Sequence, residues 1–268
     1  MSTTEIRGSG QRPDVADVRS RLTHTAIMTL ARWTPYLEEE LLGLASVVKP
    51  GSVCVDAGAA AGLYTAALAQ LTGPTGEVHS IEPLSIAHPA WRRVLRIAGR
   101  DNVHVHPVAL GIAPGEGVMS VPKGRWIPVT GRSFLTTGST GLGSNSEFSS
   151  SQEVTVTVDT IDALLARAGV THVDFIKIDV EGGEWQVLRG AERTINEFKP
   201  AILAEIEARH TSRYDYAPAD LVSWLRERGY AMYTWQNGWE EARDVCAHRR
   251  NYLFRPVTAT EAATEAPA

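Results

Sequence analysis

Short apolar runs and helix-spaced apolar positions take turns along most of the chain. After Lys49-Pro50-Gly51, residues 52–56 form a buried run ending in a carboxylate and glycines, which predicts a parallel strand entering a tight turn. A helix is expected over 63–70, a strand over 77–81, a helix over 90–98 and a strand over 103–108. Further on, 154–158 alternates Val with Thr as a half-exposed strand does, and 161–168 is a short amphipathic helix. Two more buried strands, 174–180 and 201–206, flank a helix over 185–198. A helix over 219–228 stops at Gly229, and 231–235 is expected to pair with 252–255 through a turn containing Gly238. Such alternation means βαβ units, hence a doubly wound α/β domain whose mostly parallel sheet closes in a C-terminal antiparallel hairpin.

The ends and the middle depart from this rhythm. Ile27, Leu30, Leu37, Leu41, Leu44 and Val48 recur at helical spacing within 15–48, interrupted by Pro35, so two N-terminal helices are expected there. Residues 111–158 read as an insertion, irregular over the Gly-, Ser-, Thr- and Pro-dense 111–151, with 131–151 a candidate substrate loop. Residues 1–14 and 256–268 are aperiodic and read as flexible tails, which leaves 15–255 as a single domain.

Composition narrows the class. With 43% hydrophobic and 21% charged residues, 268 residues can fold around one sizeable core. A net charge of -5 and a pI near 5.9 argue against a surface that tracks phosphates, so nucleic acid is not an expected partner. No run approaches the ~20 apolar residues that span a bilayer and the N-terminus lacks an apolar signal core, so a cytoplasmic protein without membrane attachment is expected. Cys54 and Cys246 read as reduced thiols, in keeping with that compartment. A homodimer through the N-terminal helices is one assembly this pattern allows.

The strongest local signal is Val53-Cys54-Val55-Asp56-Ala57-Gly58-Ala59-Ala60-Ala61-Gly62. Small residues at this turn let the backbone approach a ligand, and the helix that follows offers free amides. Asp56, Gly58, Ala59, Gly62, Leu63 and Tyr64 are therefore candidate cofactor contacts. Glu82 closes the next strand, where a carboxylate can accept hydrogen bonds from both hydroxyls of a ribose. Enzymes of NAD use the same glycine device, but a carboxylate at Asp56 would repel a pyrophosphate and attract the ammonium and sulfonium of S-adenosylmethionine.

These residues resemble the FkbM-type methyltransferases over roughly 53–254. The most specific string is Asp174-Phe175-Ile176-Lys177-Ile178-Asp179-Val180-Glu181-Gly182-Gly183-Glu184, followed by Val187-Leu188-Arg189-Gly190-Ala191. Asp56-Ala57-Gly58, Glu82-Pro83, Ala109-Leu110-Gly111 and 200–206 also fall where that family has counterparts. The resemblance implies a class I, Rossmann-like methyltransferase with a seven-stranded sheet. It also implies Asp56, Gly58 and Gly62 at the methionine part of the cofactor, Glu82 at the ribose, and Val108 with Ala109 at the adenine. Where the family often has a histidine two places after the carboxylate of the fifth strand, this chain has Glu207.

At the reacting end, Asp179 and Glu205 close two neighbouring strands and should project into the crevice, with Glu181 and Glu207 just beyond. Two roles are open to this acidic group. Asp179, Glu205, Glu181 and His210 are candidates for removing a hydroxyl proton, Asp179 being also a cofactor contact. Alternatively, Asp179, Glu205 and Glu207 are candidate oxygen ligands for Mg2+. Lys177 shares a strand face with Asp179 and neutralises the crevice, and Glu184 suits the positive end of a helix dipole. Trp126, Trp235 and Trp239 are candidate flat faces for a sugar ring, against core or interface packing.

The function expected is O-methylation of a small molecule or glycan, a sugar hydroxyl by preference. A nicotinamide-dependent oxidoreductase is weakened by the absence of a lysine four residues after any tyrosine. A catalytically silent methyltransferase-like partner subunit is the third reading.

Overall fold

A computed structural model describes residues 38–84, 102–123, 130–141, 148 and 150–257. The expected helix over 90–98, the tail 1–14, the tail 256–268 beyond its first two residues, Trp126 and most of the two N-terminal helices, with the dimer contact assigned to them, lie outside the described residues; Pro256 instead ends the last strand of the chain, and the Val257 amide donates to the Gly229 carbonyl at 2.8 Å. What is described of 15–48 is a 3-10 turn, Glu39–Gly43, running into a single helical turn, Leu44–Val47.

Two sheets organise the chain. The larger has eight strands in the order β3-β2-β1-β8-β9-β12-β10-β11, and the mixed sheet differs from the expected seven strands by one. Strands β1 (Val53–Ala57), β2 (Glu77–Ile81), β3 (Val103–His106), β8 (Phe175–Ile178) and β9 (Ala201–Glu205) run parallel. Strand β12 (Asn251–Pro256) lies antiparallel between β9 and β10 (Tyr230–Trp235). The turn at Gly238 joins β10 not to β12, as expected, but to the extra edge strand β11 (Trp239–Glu241).

Residues on alternate positions feed two cores. Val55, Ala57, Ile176, Ile178, Ile202 and Ala204 pack under the helices Ile161–Ala168, Glu184–Arg189, Glu192–Phe198 and Pro218–Glu227. Cys54, Val78, Phe175 and Leu203 pack on the other face against the helix Leu63–Thr72 and the turn at Leu41 and Leu44. Each Leu or Ile fully buried in this way contributes about 1.5–3 kcal/mol. Toward the carboxyl ends of its strands the second face turns polar: Asp56, Ser80, Lys177 and Glu205 take positions there that apolar residues hold nearer the strand starts. Since these positions lie toward the carboxyl ends of their strands, the site sits on that edge.

The expected irregular insertion is instead half of a second, four-stranded sheet in the order β4-β7-β5-β6. Strand β4 (Ala109–Leu110) pairs with the end of β7 (Ser151–Asp159), and β5 (Gly115–Pro122) pairs with β7 from Gly115↔Val158 to Pro122↔Ser151. Strand β6 (Phe134–Leu135) completes it. Of the two glycines that hid β5, Gly117 is a packing residue, for a Cβ there would lie 2.7 Å from the Leu135 side chain, whereas a Cβ on Gly115 would meet nothing within 4 Å.

The expected helix over 185–198 is two helices. At the break, a Cβ on Gly190 would lie 2.2 Å from the Gly111 carbonyl oxygen. The second helix is then capped from another element, because Asp162 accepts hydrogen bonds from the amides of Arg193 and Thr194 at 2.8 and 2.9 Å. Among the described residues no helix is long and apolar enough to cross a membrane.

Candidate active site

The carboxyl edge of the parallel strands carries two cavities that share Gly58, Ala60 and Asp179 as a common wall. The larger encloses about 750 Å³ and also reaches Glu82, Val108, Ala109, Glu181 and Tyr214. The smaller encloses about 590 Å³ and is lined by Glu38, Asp56, Leu63, Tyr64 and Lys177 among others.

The turn after β1 is built for close approach. Gly58 has φ +80°, and a Cβ there would lie 1.8 Å from the Asp179 carbonyl oxygen, so this turn and the end of β8 touch backbone to backbone. The amides of Gly58 and Ala59 donate to the Ile81 carbonyl at 3.0 and 3.1 Å. Gly62, also at positive φ, starts the helix that carries Leu63 and Tyr64 into the smaller cavity. Glu82 is fixed by the amides of Ala60 and Leu84, at 3.1 and 2.8 Å, one on each oxygen. These residues fit a nucleoside whose ribose meets Glu82 and whose base meets Val108 and Ala109.

Asp56 sits deeper than expected. It is 1% exposed, accepts a hydrogen bond from the Thr65 hydroxyl at 2.5 Å, and burial pushes its carboxyl up to about 6. The carboxyls lining the smaller cavity are three, Asp56 together with Glu38 and Asp179.

The reacting end has a front row and a back row. Asp179 and Glu181 line the larger cavity, with Glu205 and His210 behind them. Glu205 is held protonated, first by burial and then by the adjoining Asp179, to which it is hydrogen-bonded. Lys177 is 1% exposed and lies 3.8 Å from Asp179, 3.2 Å from the Asn251 side-chain oxygen and 5.0 Å from the centre of the Tyr64 ring. It neutralises the crevice as its strand face implied.

Glu181 occupies a left-handed backbone conformation, φ 58°, unusual for a residue with a side chain. The next residue, Gly182, explains the shape: a Cβ there would lie 2.4 Å from the His210 carbonyl oxygen. Burial, with Asp179 adding to it, pushes Glu181 up to about 8. Its Oε2 lies 3.4 Å from His210 Nε2 and 4.0 Å from Arg213 Nη1. His210 is no solvated loop residue: it is 3% exposed on the short helix Ala208–Thr211, and burial lowers it to about 4. Glu184 is structural, since its Oε1 accepts the amides of Val180 and Gly182 at 3.1 and 3.0 Å and thereby closes the turn.

The metal set is corrected. The ligand atoms that come within 4.8 Å of one another belong to Glu205, Glu207 and His210, not to Asp179, Glu205 and Glu207. Glu207 is ion-paired to Arg209 and Arg250, so a dication placed among the trio would have to compete with two guanidiniums. These residues do not fit Mg2+. Trp235 and Trp239 are packing residues as well, stacked edge to face over Gly43, where a Cβ would lie 2.6 Å from the Trp235 ring.

Several cavity residues were not named individually from the sequence. Ser133, Leu135 and Thr137 belong to the candidate substrate loop 131–151 and enter the cavity with the second sheet, which the glycines obscured. Tyr214 follows His210 by four residues in a tyrosine-rich turn, and Glu38 hid in the run Glu38-Glu39-Glu40, which reads as a solvated face.

A family model described as a methyltransferase FkbM domain matches residues 56–232. Among solved structures, the chain is similar to a methyltransferase FkbM from Methylobacillus flagellatus KT, with 20% identity, 90% of this chain and 61% of that one covered, and a TM-score of 0.45. It is also similar to a SAM-dependent O-methyltransferase from Thermotoga maritima, with 14% identity, coverage of 88% and 71%, and a TM-score of 0.45. A third is the fibrillarin of Aeropyrum pernix in complex with natively bound S-adenosyl-L-methionine, with 15% identity, coverage of 93% and 85%, and a TM-score of 0.42. The chain thus spans 61% of the length of the first of these. None of the curated proteins compared with it matches. Because the matched family domain takes in the turn after β1, both cavities' shared wall and the Asp179–Glu184 turn, the protein belongs to the FkbM family of S-adenosylmethionine-dependent methyltransferases.

Proposed function

We propose that the protein methylates a hydroxyl oxygen of a small molecule or glycan, a sugar hydroxyl by preference, with Glu181 as general base. The observation that carries this reading is a carboxylate on the cavity wall whose protonation is poised near neutral pH. A hydroxyl is a poor nucleophile until its proton leaves, and a base is most effective when its pKa lies close to the working pH. S-adenosylmethionine supplies a methyl group on a sulfonium, open to in-line displacement. Glu82, Val108 and Ala109 orient the nucleoside, while the small residues of the turn after β1 let the chain close around it.

Glu181 takes the proton from the acceptor hydroxyl as the oxygen–methyl bond forms and the sulfur–methyl bond breaks. Neutral His210, 3.4 Å from Glu181 Oε2, then faces a carboxylic acid, and the buried pair needs no new charge. Asp179 accepts from Glu205 and pairs with Lys177, which suits it to orient the acceptor rather than to take its proton. No step is assigned to Mg2+. The net charge of -5 supports a small-molecule or glycan acceptor over nucleic acid.

The test is a methylation screen with labelled donor across glycosides, polyols, phenols, thiols and amines. Hydroxyl acceptors should be methylated, and Glu181→Gln should lower kcat by about 10²–10⁴-fold while the affinity for S-adenosylhomocysteine stays unchanged. Turnover confined to thiols or amines would refute the hydroxyl reading.

A further inference from the structure

The smaller cavity contains a carboxylate that neither the glycine turn nor the family motif points to. Glu38 stands at the head of the 3-10 turn Glu39–Gly43 and lines this cavity together with Asp56, Asp179, Tyr64 and Lys177. The Tyr64 hydroxyl donates to Glu38 Oε2 at 2.5 Å, and the Tyr64 ring in turn rests 5.0 Å from the Lys177 ammonium. Tyr64 therefore ties the segment before β1 to the first turn of the helix after it.

Three carboxylates and one ammonium make a cavity that favours a cation. Two of the three are already answered, Asp56 by the Thr65 hydroxyl and Asp179 by Lys177 and Glu205. Glu38 differs: among the described residues its second oxygen takes no hydrogen bond, and Lys177 is bonded to Asn251 and Asp179 instead. Because the two cavities meet at Gly58, Ala60 and Asp179, a ligand whose nucleoside fills the larger one can extend its other end into the cavity that Glu38 lines.

We propose that Glu38 is a further cofactor-binding residue, whose carboxylate receives the α-ammonium of the donor's amino-acid end, and that Tyr64 is the positioning residue that aims it. The proposal rests on the S-adenosylmethionine reading of the two cavities, and two ligands separate its failure from failure of that reading. S-adenosylhomocysteine keeps the amino-acid end, whereas 5′-methylthioadenosine lacks it.

Calorimetric titration of wild type, Glu38→Gln and Tyr64→Phe with both ligands is the experiment. Glu38→Gln keeps the shape and the bond from Tyr64 but removes the charge. It should weaken S-adenosylhomocysteine by about ten- to a hundredfold and leave 5′-methylthioadenosine within twofold of wild type. Tyr64→Phe should show the same selectivity with a smaller, several-fold loss. Equal weakening of both ligands in both variants would make Glu38 a folding residue and overturn the proposal, as would no weakening of either. Failure of wild type to take up S-adenosylhomocysteine at all would bring down the cofactor reading, and Glu38's role with it.

Discussion

At the scale of single residues, the site depends on a few positions where backbone meets backbone or a carboxyl is denied water. Gly58 is the sharpest. Alanine there would combine an unfavourable φ of +80° with a methyl 1.8 Å from the Asp179 carbonyl oxygen, so β1 and β8 would have to part. Gly58→Ala should lower stability by about 2–4 kcal/mol in denaturant titration and abolish S-adenosylhomocysteine binding. A variant of wild-type stability that still binds would mean the turn is looser than its contacts imply. The acid cluster makes a different demand. With Glu207 held by Arg209 and Arg250, a dication gains little there, so turnover should survive exhaustive chelation. Loss of activity in EDTA, restored by magnesium, would reinstate the metal. The residue string singled out Gly58 and placed Asp179, Glu181, Glu205 and His210 at one sheet edge, but it could not rank these four by depth. Depth is set by which side chains stand behind which, and that is a tertiary property.

At the scale of elements, loops that look slack are tied down by single polar groups. The Asp179–Glu184 turn is held by the Glu184 carboxyl, which is 2% exposed, accepts two backbone amides and, through burial, is pushed up to about 7. Glu184→Ala would strand both amides and should cost about 2–4 kcal/mol, whereas Glu184→Gln keeps an acceptor oxygen and should cost far less. Equal losses in the two variants would show that charge rather than amide satisfaction holds the turn. Residues 131–141, the described start of the candidate substrate loop, are clamped to the site in the same way. The Tyr214 hydroxyl donates to the Leu135 carbonyl at 2.6 Å, the Thr140 amide to the Arg213 carbonyl at 2.6 Å, and the Arg213 guanidinium covers the Phe134 ring at 4.3 Å. Tyr214→Phe should therefore speed proteolysis within 130–148 and raise the acceptor KM while donor affinity holds; unchanged cleavage would show the clamp to be redundant. Periodicity located nearly every strand of the large sheet, because β1, β2, β8 and β9 are buried on both faces and read as apolar runs. It missed β5, whose Gly117 is dictated by Leu135, and the helix break at Gly190, dictated by Gly111, since both respond to neighbours distant in sequence.

At the scale of the whole molecule, the layout of a parallel sheet with its site at the carboxyl edge follows from the order of the apolar runs, while the pH response follows from how the fold buries its ionisable groups. Two sets oppose each other. Asp56, Glu184 and Glu181 are raised in the folded state to about 6, 7 and 8, so the folded chain binds their protons more tightly than the unfolded chain does. Their stabilisation is complete below the ordinary carboxyl range near 4 and is lost as pH rises through those values. His106 and His210 are lowered to about 4, chiefly by burial, and His79 is lowered too, stacked against His104 and bonded to His106 at 3.1 Å. Their contribution is complete above the ordinary histidine value near 6.5 and is lost as pH falls toward 4. Between about 4.5 and 6.5 the two sets offset one another, but between about 6.5 and 8.5 only the carboxyls still titrate. The melting temperature should therefore peak on the acidic side of neutrality and decline from pH 6.5 to 8.5, and Glu181→Gln should flatten that alkaline decline without touching the acidic one. A melting temperature that rises across the same interval would mean that these carboxyls are hydrated in solution, and the base assigned to the cavity wall would then have an ordinary pKa and no advantage near neutral pH.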